Sequence, residues 1–408
     1  MALNFFQREK KPSLSFWQLA TIFGLGAGVR GLTVGGQLAK IYGPGTALLS
    51  IFLGNLVLWL ICLIILSIAG KKKQAIETIK FWLGNAASKL AALLVIIAVL
   101  AWYSIQVKTA TEALLPAITI TANYGIWIGV TLGIAVALIS FGGLEIIRKI
   151  ALVSFPFLFL FALYAIFFSD QTVNFQGSWN FSFPGISTVL LICLPGVINL
   201  PTLFRYSRSR FDTIIGLSLA ILLFSFFESF SIFLNLDDPA NLISTISAPL
   251  SLIGLFILLV FTMNNLLNIY VASACWETVI PQKRNIFEFP IVGLLGTLLY
   301  VVITICPLAF VYPAENIAIL NAMFIANLAT TLLIHYLITT VVTHRNRLFE
   351  KTLSTICWLI GCGVVMIFQV CHTCTPQLSF TAGITTIILL FLVVLFIEET
   401  VWSIKNLP

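Results

Sequence analysis

Residues 23–31 read Phe23-Gly24-Leu25-Gly26-Ala27-Gly28-Val29-Arg30-Gly31, with four glycines and an arginine inside an otherwise apolar run that spans about 17–39. Glycine lets the backbone leave helical geometry at little steric cost. An arginine at such a depth is expensive unless it is paired or functional. A second stretch has the same character: Cys193-Leu194-Pro195-Gly196-Val197-Ile198-Asn199-Leu200-Pro201 puts two prolines and a glycine in the middle and end of another apolar run. Proline removes a helical donor and clashes with the preceding turn. Both stretches predict helices interrupted inside a membrane, where irregular backbone is tolerated only if protein buries it or it lines a cavity.

The rest of the chain fits a membrane setting. Of 408 residues, 60% are hydrophobic and 9% charged, and the mean hydropathy is +1.07. A soluble domain carries about 25% charged residues, so a water-soluble enzyme is excluded. The net charge of +7 lies in separate short clusters rather than on one face, which excludes nucleic acid as a partner. Apolar runs of about 20 residues without period-2 alternation predict helices rather than barrel strands.

Hydropathy places twelve spans near 17–39, 45–69, 90–116, 124–143, 146–168, 185–204, 213–235, 247–273, 288–311, 317–343, 352–371 and 379–401. Nineteen of the 22 basic residues then fall at the N-terminus, in even-numbered loops or in the tail, against Lys40 alone in the odd-numbered loops. That bias predicts a multi-pass protein of the cytoplasmic (inner) membrane with both termini cytoplasmic. The first run is longer than a signal peptide's apolar region, lacks a small-x-small cleavage site and is followed by more spans, so it reads as span 1.

If spans 1–5 and 6–10 form two inverted repeats, the interrupted spans 1 and 6 occupy equivalent positions. Matched interruptions of this kind point to the binding site of a secondary transporter. The freed N–H groups meet polar or anionic solute atoms, and the freed carbonyls can ligate a cation. The organisation read from the sequence is therefore all-α: residues 1–168 as a first repeat, 185–343 as a second, and 352–408 as spans 11 and 12 with a tail.

Certain residues resemble those of a known family, the nucleobase–cation symporters, which include purine and cytosine permeases and the hydantoin transporter. Asn199-Leu200-Pro201-Thr202-Leu203-Phe204-Arg205-Tyr206 resembles the family's Asn-Ile-Pro-Asp-Phe-Thr-Arg-Tyr/Phe stretch closing span 6. Trp102-Tyr103-Ser104-Ile105-Gln106 resembles its Trp-x-x-x-Gln in span 3. Thr262-Met263-Asn264-Asn265-Leu266-Leu267-Asn268 is similar to its hydroxyl-hydroxyl-Asn-x-x-x-Asn in span 8, and Gly35-Gly36 through Gly54-Asn55 is similar as well. The resemblance runs over spans 1 to 8. It implies an alternating-access transporter of the five-plus-five inverted-repeat fold with two added C-terminal helices, acting as a monomer and using no organic cofactor. It further implies a flat heterocycle held between spans 1, 3, 6 and 8, with Trp102 as stacking platform and Gln106 and Asn268 as hydrogen-bonding groups. Asn264, Gly28, Arg30, Cys193 and Gly196 complete the candidate site. A sodium ion, if coupled, would sit near Gly24 and Thr262.

Elementary chemistry agrees with this reading. Trp102 and Gln106 stand at i and i+4, on one helix face. A large π-face beside an amide suits a planar ring with edge donors and acceptors. The departures from the family pattern are specific. Cys193 stands where a second stacking Trp is expected, Thr202 where Asp is common, and Met263 replaces one of two hydroxyls. A thioether is a poor ligand for a hard cation, so sodium, a proton or exchange without an ion all stay open.

Arg30, Lys108, Glu112, Glu228 and His335 fall inside predicted spans. Lys108 and Glu112, at i and i+4, read as a local ion pair. Arg30 reads either as a partner of Glu228 or another acid, or as a forked contact to a substrate carboxylate. The second option opens an alternative function, an amino-acid permease on the same fold. His335 reads as a satisfied polar residue before a proton relay. Six of the eight cysteines are scattered through spans, and Cys371-His372-Thr373-Cys374 reads as an outer structural loop with a disulfide open. A membrane-embedded enzyme needs clustered His, Asp or Glu, and the chain has only three His and few intramembrane carboxylates, so it is not read as one. A channel filter or ring of charges is absent from the sequence pattern.

Overall fold

A computed structural model of the chain describes residues 13–27, 32–70, 73–118, 124–168, 173–175, 179–237, 241, 245–246, 248–279, 288–341, 351–370 and 375–405. The candidate residues Gly28 and Arg30, and the pair Cys371 and Cys374, lie outside them.

The described structure is helical. The first predicted span is a pair of helices, α1 (Phe16–Gly24) and α2 (Val34–Tyr42), with a 3₁₀ turn at Leu25–Ala27 after α1. Gly43, at φ +86°, turns the chain into α3 (Pro44–Ala69), whose first residue needs no N–H partner because it is proline. The basic loop that follows folds into the short α4 (Ala75–Leu83). Next come α5 (Asn85–Ile118), α6 (Gly125–Ile139) and α7 (Gly143–Phe167), the last two joined by a 3₁₀ turn at Ser140–Gly142. The sixth predicted span is again a pair, α8 (Phe183–Val197) and α9 (Leu200–Phe204), with the interruption at Ile198-Asn199 and Pro201 in the first turn of α9. The remainder is α10 (Arg210–Phe233), α11 (Leu250–Val279), α12 (Glu288–Ile305), α13 (Pro307–Val341), α14 (Lys351–Val370) and α15 (Pro376–Lys405).

Among the described residues nine helical stretches are long and apolar enough to cross a membrane; one of them, Gly125–Phe167, contains both α6 and α7. The chain is a multi-pass membrane protein. Large apolar side chains such as Val153, Phe167, Trp127 and Phe396 face outward, as a lipid-facing surface requires.

Packing inside the bundle depends on small residues, because apolar side chains gain little from leaving lipid. On α6 and α12, Gly133 lies against Thr297 and Gly129 against Tyr300, while Tyr103 of α5 donates to the Gly133 carbonyl at 2.8 Å. α2 lies close on α10: Gly35 faces the Glu228 carbonyl, and Gly36 donates its N–H to Ser231 Oγ at 2.8 Å. α11 runs along α5 and also touches the Leu25–Ala27 turn. The first interruption therefore lies beside the helix that carries the span 8 motif, which itself packs on the helix of the span 3 motif.

Candidate functional site

α5 presents Trp102, half-buried beside Ala101 and Ile105, and one turn on Gln106, which is 3% exposed. Nothing in the described structure bonds Gln106 Oε1. A buried amide oxygen without a donor costs about 1–3 kcal/mol, which a ligand N–H would recover.

α11 supplies the asparagines. Asn264 donates its Nδ2 to the carbonyl of Gly26 in the 3₁₀ turn, and its Oδ1 accepts from Asn268 Nδ2 at 3.0 Å. A backbone carbonyl released by the interruption is thus satisfied from span 8. Asn265 is fully buried, and neither atom of its amide has a partner among the described residues. The run of three asparagines signalled this buried polarity, though not which of them would bond to what.

The space beside Gly24 is filled by Leu223 of α10, with side-chain atoms 2.8 Å from where a Cβ would stand. Thr262 is half-buried on α11, next to a fully buried Met263. Its hydroxyl is one oxygen where a hard cation takes several, and the Gly26 carbonyl is already engaged by Asn264.

On α8, Gly196 opens to free space, since a Cβ built there meets nothing within 4 Å. Cys193, one turn earlier and half-buried, turns its thiol to a carboxylate: Sγ donates to Glu228 Oε1 at 3.2 Å. Asn55 of α3 donates Nδ2 to Glu228 Oε2 at 2.5 Å. Glu228 is 1% exposed and ties α3, α8 and α10 together. Sequence reasoning noted Glu228 as a mid-span charge and as one reading of the partner of Arg30, and Asn55 only as part of a familiar stretch. The signal available was a polar residue in each of two apolar runs.

Two other sites that the sequence placed inside spans have local partners. Lys108 and Glu112 lie 3.8 Å apart, and both are partly exposed. His335 Nδ1 meets Ser354 Oγ at 2.5 Å, with the Trp82 ring edge-on at 5.5 Å.

Hydrogen bonds strap the segment before α1 to the end of the bundle that carries the span 6 motif. Leu14 donates its N–H to the Tyr206 carbonyl at 2.8 Å and accepts from the Arg208 N–H at 3.2 Å, while Phe16 N–H reaches Asp212 Oδ1 at 2.9 Å. Arg205 Nη2 donates to Tyr206 Oη at 2.5 Å, and Tyr270 Oη lies 3.2 Å from it. Ala75 N–H donates to Thr202 Oγ1 at 3.3 Å, so Thr202, the residue standing where Asp was expected, helps hold α4 on α9. A cavity of about 610 Å³ opens here between Gly70, Phe204, Arg205, Arg208, Arg210 and Thr213.

The first and sixth predicted spans are interrupted, and the first interruption packs against α11, which in turn runs along α5. Several solved structures have a similar fold. One is Mhp1, a nucleobase-cation-symport-1 family transporter, in a closed conformation with bromovinylhydantoin bound (TM-score 0.69, 16% identity, 98% of this chain and 95% of that one). Another is a Na+-coupled sialic acid symporter in a substrate-bound outward-open state (TM-score 0.69, 12% identity, 92% and 88%). A manganese transporter of Eremococcus coleocola is more distant (TM-score 0.55, 13% identity, 96% and 94%). No protein-family model and no curated protein matches the sequence.

Proposed function

We propose that this protein is a secondary active transporter that takes up a flat nucleobase-like heterocycle, of cytosine or purine type, together with a cation across the cytoplasmic membrane by alternating access. The observation that carries the proposal is the Asn264 bridge to Gly26, which joins the interruption of span 1 to the motif of span 8 beside the helix bearing Trp102 and Gln106. In this reading twelve helices cross the bilayer, as two inverted repeats (1–168 and 185–343) and a C-terminal pair (352–408), with both termini cytoplasmic. Trp102 stacks on the ring, the orphan Gln106 Oε1 accepts a ring N–H, and Asn268 meets the opposite edge. The open space at Gly196 gives the solute room at mid-membrane. The strap from Leu14 to Tyr206 and Arg208 closes the cytoplasmic end while the outer path is used. A transporter of this fold that binds a substituted hydantoin, itself a flat ring with edge N–H and C=O groups, supports the solute class.

A second reading, an amino-acid permease with Arg30 on the substrate carboxylate, draws on one observation. Cys193 is tied to Glu228, so the pocket lacks a second aromatic plate at that position. Sodium at Thr262 and Gly24 is the corresponding second reading for the ion, supported by the Na+ coupling of the sialic acid symporter. Uptake of radiolabelled cytosine, uracil, adenine, a 5-substituted hydantoin, leucine and glutamate into proteoliposomes, with sodium and pH gradients varied separately, tests both readings. Saturable uptake of a heterocycle supports the first; uptake confined to amino acids replaces it with the second.

A further inference from the structure

Glu228 stands in the C-terminal third of α10, almost wholly enclosed, with a donor on each of its two oxygens, Asn55 Nδ2 at 2.5 Å and Cys193 Sγ at 3.2 Å. Among the described residues no Lys or Arg is within ion-pair distance of it; the ion pairs found are Lys40–Asp237, Lys108–Glu112, and Arg148 and Lys149 with Glu145. The elements packed on α10 are α1, the Leu25–Ala27 turn, α2, α3 and α7. Their titratable groups are Lys40, Tyr42, Cys62, Glu145, Arg148, Lys149 and Tyr164, and α10 itself adds Arg210 and Asp212. α8 adds Cys193, which alone of these touches the carboxyl. Arg30 lies outside the described residues.

An ionised carboxylate enclosed in a bilayer without a cation is costly, and such residues mark proton relays in pumps and transporters. The surroundings of Glu228 suit both of its protonation states. As a carboxylate it accepts the Asn55 amide N–H and the Cys193 thiol. As an acid it has an O–H to place, and Asn55 Oδ1 is buried and without a partner; a half-turn of that amide brings the oxygen to face the new donor. Cys193 is half-buried where Glu228 is enclosed, and it sits one turn from the open space at Gly196. The thiol thus connects the carboxyl to the helix turn that holds Gly196.

We propose that Glu228 is the binding site of the coupling proton, reached from the solute cavity past Cys193. The proposal rests on the transporter reading above. In loading, an O–H bond of hydronium breaks, leaving water, and a carboxyl O–H bond forms; in release that bond breaks and the proton joins a water on the other side, with no electrons transferred. Occupied and empty states of the solute site then bias that exchange through Cys193, which belongs to α8, the first half of the interrupted span 6.

Two measurements on the full-length protein in lipid test this, one of which needs no solute. In pH-difference infrared spectra, the C=O stretch of a protonated carboxyl grows as pH falls within the folded range, shifts in Cys193→Ala and is lost in Glu228→Gln. In proteoliposomes, accumulation of labelled cytosine or hydantoin driven by an inward proton gradient falls by about tenfold or more in Glu228→Gln, while counterflow exchange falls much less. Should Glu228→Gln not fold, the Cys193→Ala shift and Glu228→Asp, which retains gradient-driven uptake, carry the assignment. A wild type with no such band at any pH has a permanently ionised Glu228, held for example by Arg30, and overturns the proposal. So does sodium-driven accumulation that ignores the proton gradient. A titrating band that responds to Cys193→Ala, in a protein that takes up leucine or glutamate but no heterocycle, overturns the substrate class and leaves the proton site standing.

Discussion

Asn264 of α11 donates its side-chain amide to the carbonyl of Gly26 while its own oxygen holds Asn268 at 3.0 Å. One side chain thus joins the interruption of the first span to the motif of the eighth, and it explains why span 1 can leave helical geometry inside a bilayer. Asn264→Ala leaves the Gly26 carbonyl and the Asn268 amide unpartnered, at a cost of about 1–3 kcal/mol. The expected result is a lowered melting temperature in detergent together with weakened uptake. Asn264→Asp keeps the acceptor for Asn268 but loses the donor to Gly26, and it falls in between.

Trp102 and Gln106 share one face of α5, the first half-buried and the second enclosed with an idle oxygen. Base stacking on an aromatic ring is worth about 1–3 kcal/mol by alanine substitution. Trp102→Ala therefore raises the half-saturation concentration for the heterocycle by roughly tenfold to a hundredfold and in practice abolishes saturable uptake, with membrane insertion intact. Trp102→Phe retains part of the activity. Undiminished uptake by Trp102→Ala rules the stacking platform out.

Two glycines give opposite expectations. A Cβ on Gly36 runs into the backbone of Leu236, whereas one on Gly196 meets nothing within 4 Å. Gly36→Ala forces α2 away from α10 at about 1–3 kcal/mol, read as lost expression and a lower melting temperature. Gly196→Ala leaves melting unchanged and lowers solute affinity. A Gly196→Ala protein that melts early but transports normally reverses both assignments.

At the C-terminal end of α2, Lys40 Nζ meets Asp237 Oδ2 at 2.5 Å. The hydrogen bond and charge of Asp237 raise the lysine above its ordinary value of 10.5. A raised lysine contributes stability that is fully present at neutral pH and is lost as pH rises through its folded-state value. The ammonium is exposed, so the contribution is small and screened by salt. The melting difference between wild type and Lys40→Gln is expected to be constant across neutral pH, to shrink toward strongly alkaline pH and to fall at high ionic strength. A difference that grows with pH contradicts the pairing.

What the sequence reveals follows physical range. The long apolar runs declare their helices because lipid leaves the backbone no other partner, and α3 starts where Pro44 directs it. The interruptions at Leu25–Ala27 and Ile198-Asn199 were legible because glycine and proline act locally. The short helix Ala75–Leu83 was read as a basic loop, since its buried Ile76, Ile79 and Leu83 acquire meaning only from the helices they pack on. α13 begins at Pro307 rather than near 317, extending the helix back over Pro313 and Glu315, which read as loop residues. Asn55 and Glu228 stand 173 residues apart, and Cys193 and Glu228 stand 35 apart; no spacing rule joins them, and only the fold brings them together.

The central claim is that interrupted helices beside Trp102 and Asn264 form a mid-membrane pocket for a flat heterocycle. An electron cryomicroscopy map of the full-length protein in lipid nanodiscs, with the heterocycle that it transports most efficiently, tests it most directly. The account predicts planar density stacked on the Trp102 ring, within hydrogen-bond reach of Gln106 and Asn268, with α1 ending at the Leu25–Ala27 turn. Density seated elsewhere, or a first span running unbroken past Gly26 with Trp102 turned to lipid, would contradict it.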